Sequence, residues 1–309
     1  MTPPLPTSDA VSRRRFLSLS GAASVALLAP VSLTRTLAAD APAPMAPKPR
    51  PIGIELYAVR GELTKDLPRT LEEVARIGYQ CVEFYAPYFQ WTPIYAKEVK
   101  SRMDDLGLRC HSTHNQLVSF TPGDEIGRAI ELNQILGARH MVLSSAGREP
   151  RGVDVWKKLC EQLTAATNAL LPHGLTAGFH NHQTEWKKVD GDQRVMDIIA
   201  ANTPPEFVLQ FDVGTCMEAG ADPVAWIKAN PGRIKSLHLK DWAPGRREDE
   251  KGYRVLFGEG VTPWADIIAA AESVGGVEFY LMEQEGSRYA EFDTAQRCLD
   301  AWKALRKRI

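Results

Sequence analysis

Cysteine is scarce in this sequence, with five among 309 residues and no CxxC pair, so neither a disulfide scaffold nor a zinc finger is expected. An excess of positive charge is also missing, because 37 lysine and arginine residues face 38 aspartate and glutamate residues. This balance disfavours a nucleic-acid binder, which usually carries a basic excess. The fingerprints GxGxxG and GxxxxGK[ST] do not occur, so the usual sign of a nucleotide-binding open sheet is absent.

The first 51 residues differ in composition from the rest and predict an export signal followed by a spacer. An uncharged run from Ser18 to Ala29 follows the basic motif Ser12-Arg13-Arg14-Arg15-Phe16-Leu17. The run is too short for a transmembrane helix, which needs about 20 apolar residues. We interpret residues 1–39 as a twin-arginine signal peptide ending at the small residues Leu37-Ala38-Ala39, and residues 40–51 as a Pro/Ala-rich spacer. A periplasmic or otherwise exported protein is expected, with no membrane segment in its mature form.

From Pro51 onward, short apolar runs alternate with longer segments whose apolar residues recur at three- and four-residue spacing, as in strands and amphipathic helices. The predicted strands are Ile52–Tyr57, Cys81–Phe84, Leu108–Ser112, His140–Leu143, Thr176–Phe179, Phe207–Phe211, Ile234–Leu239 and Val277–Met282. The predicted helices are Leu67–Ile77, Ile94–Leu106, Ile126–Leu136, Val155–Leu171, Val195–Ala201, Pro223–Ala229, Trp264–Val274 and Thr294–Leu305. Eight strand–helix pairs predict an α/β fold, a (β/α)8 TIM barrel over residues 52–309.

Polar residues gather where the predicted strands end, which in such a barrel is the side that carries active sites. Five of the seven histidines, including His111, are placed there. The candidates along the chain are Glu55, Tyr57, Glu83, His111, His114, His180, His182, Glu185, Asp212, His238, Lys240, Asp241, Glu283 and Glu285. Carboxylates and imidazoles that converge in a barrel mouth repel one another or remain unsatisfied without a cation. Such a site, without cysteine, suits one divalent ion: Mn²⁺ first, with Mg²⁺, Co²⁺ and Zn²⁺ open.

Five motifs occur in order along the second half of the chain. They are His180-Asn181-His182-Gln183-Thr184-Glu185, Phe211-Asp212-Val213-Gly214 with Ala219-Gly220-Ala221-Asp222-Pro223, His238-Leu239-Lys240-Asp241-Trp242, Phe257-Gly258-Glu259-Gly260 and Met282-Glu283-Gln284-Glu285. In this order they resemble the xylose isomerase-like TIM-barrel superfamily, the sugar phosphate isomerase/epimerase group. The resemblance covers residues 52 to 307 and implies one divalent metal in the barrel mouth.

The resemblance also implies residue roles. Asp212, His238 and Glu283 match three of the family's metal ligands. For the ligand after strand 5 we expect Glu185, with His180 at the strand tip as the alternative. Glu185 and Glu283 are then the expected acid/base pair, and His182 is the expected catalytic imidazole. The substrate-binding candidates are His114, His180, Lys240 and Tyr57. Lys240 either neutralises a developing oxyanion or forms an ion pair with Asp241.

The resemblance implies an isomerase or epimerase acting on a sugar through a metal-stabilised enediolate, while the metal set alone does not decide between isomerisation, epimerisation and elimination. A metal-dependent lyase or dehydratase on a keto-sugar or 3-keto-glycoside stays open, as does a non-catalytic sugar-binding barrel. An apurinic endonuclease is disfavoured, because without residues 1–39 the chain keeps 33 basic and 37 acidic residues. Export and the expected repulsion of phosphate by Glu259 favour an unphosphorylated sugar. The sequence indicates no oligomeric state.

Overall fold

The computed structural model describes residues 49–147, 152–191, 193–244 and 252–309. Eight parallel strands close into a barrel in the order β1-β8-β7-β6-β5-β4-β3-β2. They are β1 Ile52–Glu55, β2 Cys81–Phe84, β3 Arg109–Asn115, β4 His140–Leu143, β5 Thr176–His180, β6 Val208–Asp212, β7 Ser236–Leu239 and β8 Phe279–Met282. All eight predicted strands are therefore confirmed, and the fold is the predicted TIM barrel.

Helices follow the strands and cover the outside of the barrel. They are α1 Arg60–Lys65, α2 Leu67–Ile77, α3 Pro93–Asp105, α4 Asp124–Leu136, α5 Val153–Leu170, α6 Val195–Ala201, α7 Val213–Glu218, α8 Pro223–Ala229, α9 Trp264–Ala270 and α10 Glu291–Arg306. The helix predicted to Val274 becomes a π-helical turn over Ala271–Gly275. Short 3-10 turns occur at Leu56–Val59, Ala86–Gln90, Leu117–Phe120, Leu171–His173 and Gln183–Trp186. A small antiparallel hairpin joins Lys188–Val189 to Gln193–Arg194.

Local sequence explains where these elements begin and end. Helix α2 starts because the Asp66 side chain accepts a hydrogen bond from the Arg69 backbone N–H, and it ends at Gly78, whose φ of 110° favours glycine. At the barrel seam, a Cβ on Gly53 would lie 2.4 Å from Cys81 Sγ. Only glycine therefore lets β1 approach β2 this closely.

The strands are almost wholly buried, since helices cover one face and packed side chains fill the other. One placement from the sequence is wrong. Strand β3 extends to Asn115, so His111 lies near its beginning and packs against Phe279 with ring centroids 5.0 Å apart. His111 is therefore remote from the carboxyl-terminal mouth, whereas His114 is near it.

The predicted signal peptide, residues 1–39, and all but the last three residues of the predicted spacer lie outside the described residues. Within the described ranges, none of the helices has the length and apolar character needed to cross a membrane.

Candidate metal centre and active site

Four buried side chains converge at the carboxyl ends of four consecutive strands. His180 ends β5, Asp212 ends β6, His238 lies in β7, and Glu283 follows β8. Each offers one ligand atom, and these atoms lie within 4.8 Å of one another. A second group at the same place combines His114 with His180 and His238. We call the first four residues the ligand ring. Two imidazoles and two carboxylates without a thiolate form a donor set that fits a borderline or hard divalent cation.

The ligand ring contains three of the four predicted ligands, with His180 where Glu185 was expected. The Glu185 carboxylate is buried elsewhere: Oε2 accepts a hydrogen bond from the His182 backbone N–H at 2.8 Å, and Oε1 accepts one from the Thr184 hydroxyl at 3.1 Å. These bonds close the turn that follows β5. His180 Nε2 lies 3.8 Å from Asp212 Oδ2. The structure therefore brings the alternative residue, His180, into the ring.

Lys240 provides a positive charge beside the ring. Its Nζ lies 2.8 Å from Asp212 Oδ2, 2.8 Å from Glu283 Oε1 and 2.9 Å from Glu285 Oε1. The two ring carboxylates are thus already arranged around a cation. Of the two roles expected for Lys240, the ion pair with Asp241 is not formed.

Asp241 instead organises the loop after β7. Its Oδ2 accepts hydrogen bonds from the backbone N–H groups of Gly258 and Gly260, at 2.7 and 3.1 Å, and from Trp264 Nε1 at 3.1 Å. A carboxylate that accepts several N–H groups is satisfied by neutral donors. Asp241 therefore needs no ammonium partner, which leaves Lys240 to the ring.

Burial and crowding shift the pKa values of the ring. Burial raises the pKa of Asp212 to about 6, although Lys240 opposes this. Burial acts in the same direction on Glu283, but Lys240 and His238 outweigh it and hold the pKa of Glu283 well below its usual value. Burial lowers the pKa of His238, yet the carboxylates of Glu83 and Glu283 prevail and raise it to about 10. The ring therefore concentrates opposite charges in a dry environment, where each acts strongly.

A cavity of about 480 Å³ opens beside the ring. This volume lies in the usual range for small-molecule sites. Its described lining comprises Glu55, Tyr57, Tyr85, His114, Ser144, Ser145, Gly147, His180, His182, Gln183, Thr184, Tyr253, Glu283 and Glu285. The predicted residues Tyr57, His114, His180, His182 and Glu283 all line it, whereas Lys240 and Glu185 are buried behind it.

The aromatic and imidazole residues of the lining have distinct settings. Tyr57 is 41% exposed, meets Tyr85 edge to face and carries the Arg60 guanidinium 4.3 Å from its ring centroid. The ring of His182 lies 4.9 Å from that of His180. Burial, reinforced by Lys240, lowers the pKa of His182 to about 4. His182 is therefore a neutral imidazole at the cavity wall.

Sequence reasoning noted Glu55 and Glu83 at strand ends but gave neither a role. Glu55 lines the cavity, and its Oε1 has no hydrogen-bond partner among the residues that the structure describes. Burial raises its pKa well above the usual value, and Glu283 and Glu83 add to the effect. Glu83 lies deeper, where its Oε1 is 2.8 Å from His238 Nε2. The sequence signal that could have identified both residues as part of the site is their position at the ends of predicted strands.

Comparison with known proteins agrees with the fold. A family model described as xylose isomerase-like TIM barrel matches residues 71–306. The chain belongs to this family. A putative L-ribulose-5-phosphate 3-epimerase of Escherichia coli K12 is 25% identical over 253 residues, which cover 72% of this chain and 85% of that protein. An inosose dehydratase of Clostridium perfringens is 22% identical over 210 residues, 62% of this chain and 69% of that protein.

Solved structures of other proteins have the same fold as this chain. A sugar phosphate isomerase/epimerase from Parabacteroides distasonis superposes with a TM-score of 0.71 at 24% identity, over 84% of this chain and 96% of that one. A structure described as the IolI protein with a binding zinc atom gives a TM-score of 0.64 at 17% identity, over 82% of this chain and 96% of that one. Relatives of this chain thus include a sugar epimerase and inosose dehydratases.

Proposed function

We propose that this protein is a divalent-metal-dependent isomerase or epimerase that acts on an unphosphorylated sugar or keto-sugar. The observation that carries the proposal is the buried ligand ring of His180, Asp212, His238 and Glu283 beside a cavity of about 480 Å³. These four residues would hold the ion. Mn²⁺ is the ion we propose first, and the zinc in the IolI structure supports testing Zn²⁺ beside it.

A divalent cation in this ring would polarise a sugar carbonyl and acidify the neighbouring C–H bond. The chain itself supplies the proton-transfer groups. His182 is neutral because its pKa is lowered, so it enters the reaction as an unprotonated imidazole at the cavity wall, the form in which it acts as a base. Glu55 is protonated because its pKa is raised, so it is able to donate one. A proton returned to the same carbon from the other face gives an epimer, and one returned to the adjacent carbon gives an isomer.

The remaining predicted residues fit around this pair. Glu283 stays ionised, so its carboxylate is available as a second base beside His182. Lys240 lies outside the cavity lining, so its ammonium acts through the carboxylates of Asp212 and Glu283 that it holds. Glu185 is engaged in its turn, so we no longer propose it as ligand or base.

The charge of the cavity supports a substrate without phosphate. The carboxylates of Glu283 and Glu285 line it, and carboxylates repel a phosphate dianion. The repulsion expected from Glu259 is not the reason, because its carboxylate is paired with both outer nitrogens of Arg288, at 2.8 and 2.5 Å.

Solvent proton exchange tests the proposal directly. The chain is freed of metal with a chelator, reloaded with Mn²⁺ or Zn²⁺, and incubated in D₂O with a panel of unphosphorylated keto-sugars. We expect deuterium at a carbon next to the carbonyl only with the reloaded protein. Sugar binding without exchange under every metal condition would instead indicate a non-catalytic sugar-binding barrel.

Dehydration is the second candidate, and two observations favour it. Inosose dehydratases occur among the relatives, and a protonated Glu55 is suited to protonate a leaving hydroxyl. Mass spectrometry of the same incubations separates the reactions, because elimination gives a product that has lost one water, whereas isomerisation and epimerisation change the mass only by the deuterium taken up.

We propose further that the protein is exported by the twin-arginine route, on the basis of its Arg13-Arg14-Arg15-Phe16-Leu17 motif. Replacing both Arg13 and Arg14 by lysine should leave the precursor in the cytoplasm. Arg35→Lys is the matched control, since it changes the same residue type outside the motif. Normal export of the double variant would contradict the assignment.

A further inference from the structure

Gln210 lies beneath the ligand ring and contacts two histidines, of which one, His180, belongs to the ring. It is the third residue of β6 and is fully buried. Its Oε1 lies 2.6 Å from His114 Nε2 and 3.1 Å from His180 Nδ1. Its Nε2 donates to Glu83 Oε2 at 2.8 Å and to Ser236 Oγ at 3.1 Å. The amide is therefore placed between a carboxylate on one side and two imidazoles on the other.

The carboxylate determines which way this amide points. The Glu83 carboxylate accepts a hydrogen bond from the Ser112 hydroxyl and lies against His238 Nε2, so donors surround it and favour its ionised form. An ionised carboxylate accepts hydrogen bonds only, so the NH₂ group of Gln210 must face Glu83 and its oxygen must face the imidazoles. Because an amide oxygen also only accepts, His180 must carry a proton on Nδ1.

This assignment bears on the metal-facing side of His180. A histidine binds a metal ion as a neutral imidazole, which carries a single proton on one of its two nitrogens. With that proton on Nδ1, the lone pair is on Nε2. Nε2 is the nitrogen that faces Asp212 Oδ2. His180 therefore presents a lone pair to the ligand ring.

Glu83 orients the other ring histidine directly. Its Oε1 accepts a hydrogen bond from His238 Nε2 at 2.8 Å, while His238 Nδ1 lies 2.6 Å from Glu283 Oε2. Nε2 of His238 is thus kept as the donor, and Nδ1 is the nitrogen left to the ligand ring. A partner that fixes the unligated nitrogen of a histidine in this way raises metal affinity.

We propose that Glu83 and Gln210 form a positioning pair that selects the ligating nitrogen of both ring histidines, acting on His238 directly and on His180 through the Gln210 amide. The inference rests on the proposed function, because it takes the ligand ring to be a metal site. It concerns orientation only, since neither residue belongs to the ligand ring or lines the cavity.

The first test replaces the carboxylate by an amide of the same shape. Glu83→Gln gives position 83 an NH₂ group, which must face either His238 or Gln210. If it faces His238, it presents a donor to that imidazole. If it faces Gln210, the Gln210 amide turns over and presents its own NH₂ group to His180, so in either case a donor disfavours the required tautomer of a ring histidine. We expect about 10- to 100-fold weaker binding of Zn²⁺ or Mn²⁺, measured by competition with a chromophoric chelator.

The second test exchanges the two groups and serves as the matched control. Gln210→Glu alone places two carboxylates against each other and should also weaken metal binding. Combined with Glu83→Gln, it restores one amide and one carboxylate. The atom that faces His180 Nδ1 is then a carboxylate oxygen at position 210, which accepts a hydrogen bond as the amide oxygen does. We expect the double variant to bind metal within about threefold of the wild type, which a loss of packing or charge would not allow.

A readout without metal separates the inference from the proposed function. In the ¹⁵N NMR spectrum of the metal-free protein, His180 should be protonated on Nδ1 in the wild type and the double variant. A proton on Nε2 in the wild type overturns the inference, even if Glu83→Gln does not fold. Unchanged metal affinity in Glu83→Gln, or no recovery in the double variant, also overturns it. A wild type that binds no divalent ion but has the expected tautomer contradicts only the proposed function.

Discussion

The two ends of the barrel both carry a cluster of histidine, glutamate and lysine side chains. Basic groups outnumber acidic groups in the cluster at one end, and acidic groups outnumber basic groups in the cluster at the other. At the amino-terminal end, which we call the base, the Glu278 carboxylate lies 3.4 Å from Lys235 and 3.6 Å from His140 and also pairs with Arg139. At the mouth, four buried acidic side chains face two cationic groups, those of Lys240 and His238. These four are Glu55, Glu83, Asp212 and Glu283.

This difference separates a structural ion cluster from a candidate site. At the base, basic groups surround one partly exposed carboxylate and satisfy it, so nothing further is required. At the mouth, negative charge exceeds positive charge in a water-excluded space, where burial, reinforced by Glu283 and Glu83, raises the pKa of Glu55. Buried charge of one sign is costly unless it is neutralised. The surplus, and not the mere presence of histidines, therefore marks the site.

The largest effect is expected from removing a ring ligand. Asp212→Ala and His238→Ala should each abolish metal binding and turnover, because each deletes a donor held on a barrel strand. The measurements are bound metal per chain after dialysis and activity with Mn²⁺ added. Glu278→Gln, at the base, is the control and should retain the full metal content. Retention of metal by both ring variants would show that the mouth is not a metal site.

The next largest effect concerns Glu55. Since Glu55 is protonated, Glu55→Gln should preserve folding and metal content while turnover falls by about 10² to 10⁴, the range for a lost proton-transfer group. Glu285→Gln is the matched control in the same cavity, where a half-exposed ion pair to Lys240 is lost. It should cost less than about tenfold. Equal losses in both variants would argue against proton transfer by Glu55.

Much of this arrangement was predictable from sequence, for identifiable reasons. The strand periodicity and the glycines that end the helices define the barrel, and the barrel topology brings Asp212, His238 and Glu283 together. Contacts within a loop were not predictable. Whether Glu185 folds back to the metal or closes its own turn depends on backbone hydrogen bonds to His182 and Thr184, which no spacing rule reveals. The role of Gln210 likewise depends on partners from four other strands.

A smaller effect separates the two residues considered for the ligand after β5. His180→Ala should weaken metal binding at least tenfold, because it removes a ring donor. Glu185→Gln should leave metal content unchanged and lower the free energy of unfolding by about 1 kcal/mol, because it weakens a turn-closing hydrogen bond. Isothermal titration with Zn²⁺ and urea unfolding of both variants provide the measurements. The reverse pattern would restore Glu185 as the ligand.

The smallest effect belongs to the base. Contacts with His140, Arg139 and Lys235 lower the pKa of Glu278 to about 2. Because its folded-state pKa lies below its unfolded-state value, the ionised form stabilises the protein above about pH 4.5, and the contribution disappears as the pH falls towards 2. The carboxylate is 33% exposed, so screening limits the contribution to about 1 kcal/mol.

Glu278→Gln should therefore lower the free energy of unfolding by about 1 kcal/mol near pH 7, and by much less near pH 2, because the folded carboxylate itself becomes protonated around its pKa of about 2. Urea unfolding of the metal-free variant and wild type at both pH values measures the difference. The exposed Glu161→Gln in α5 is the control and should change stability by less than about 0.5 kcal/mol at either pH. A loss that persists unchanged at low pH would mean that Glu278 stabilises the base by packing, and that the cations around it are not what distinguishes the base from the mouth.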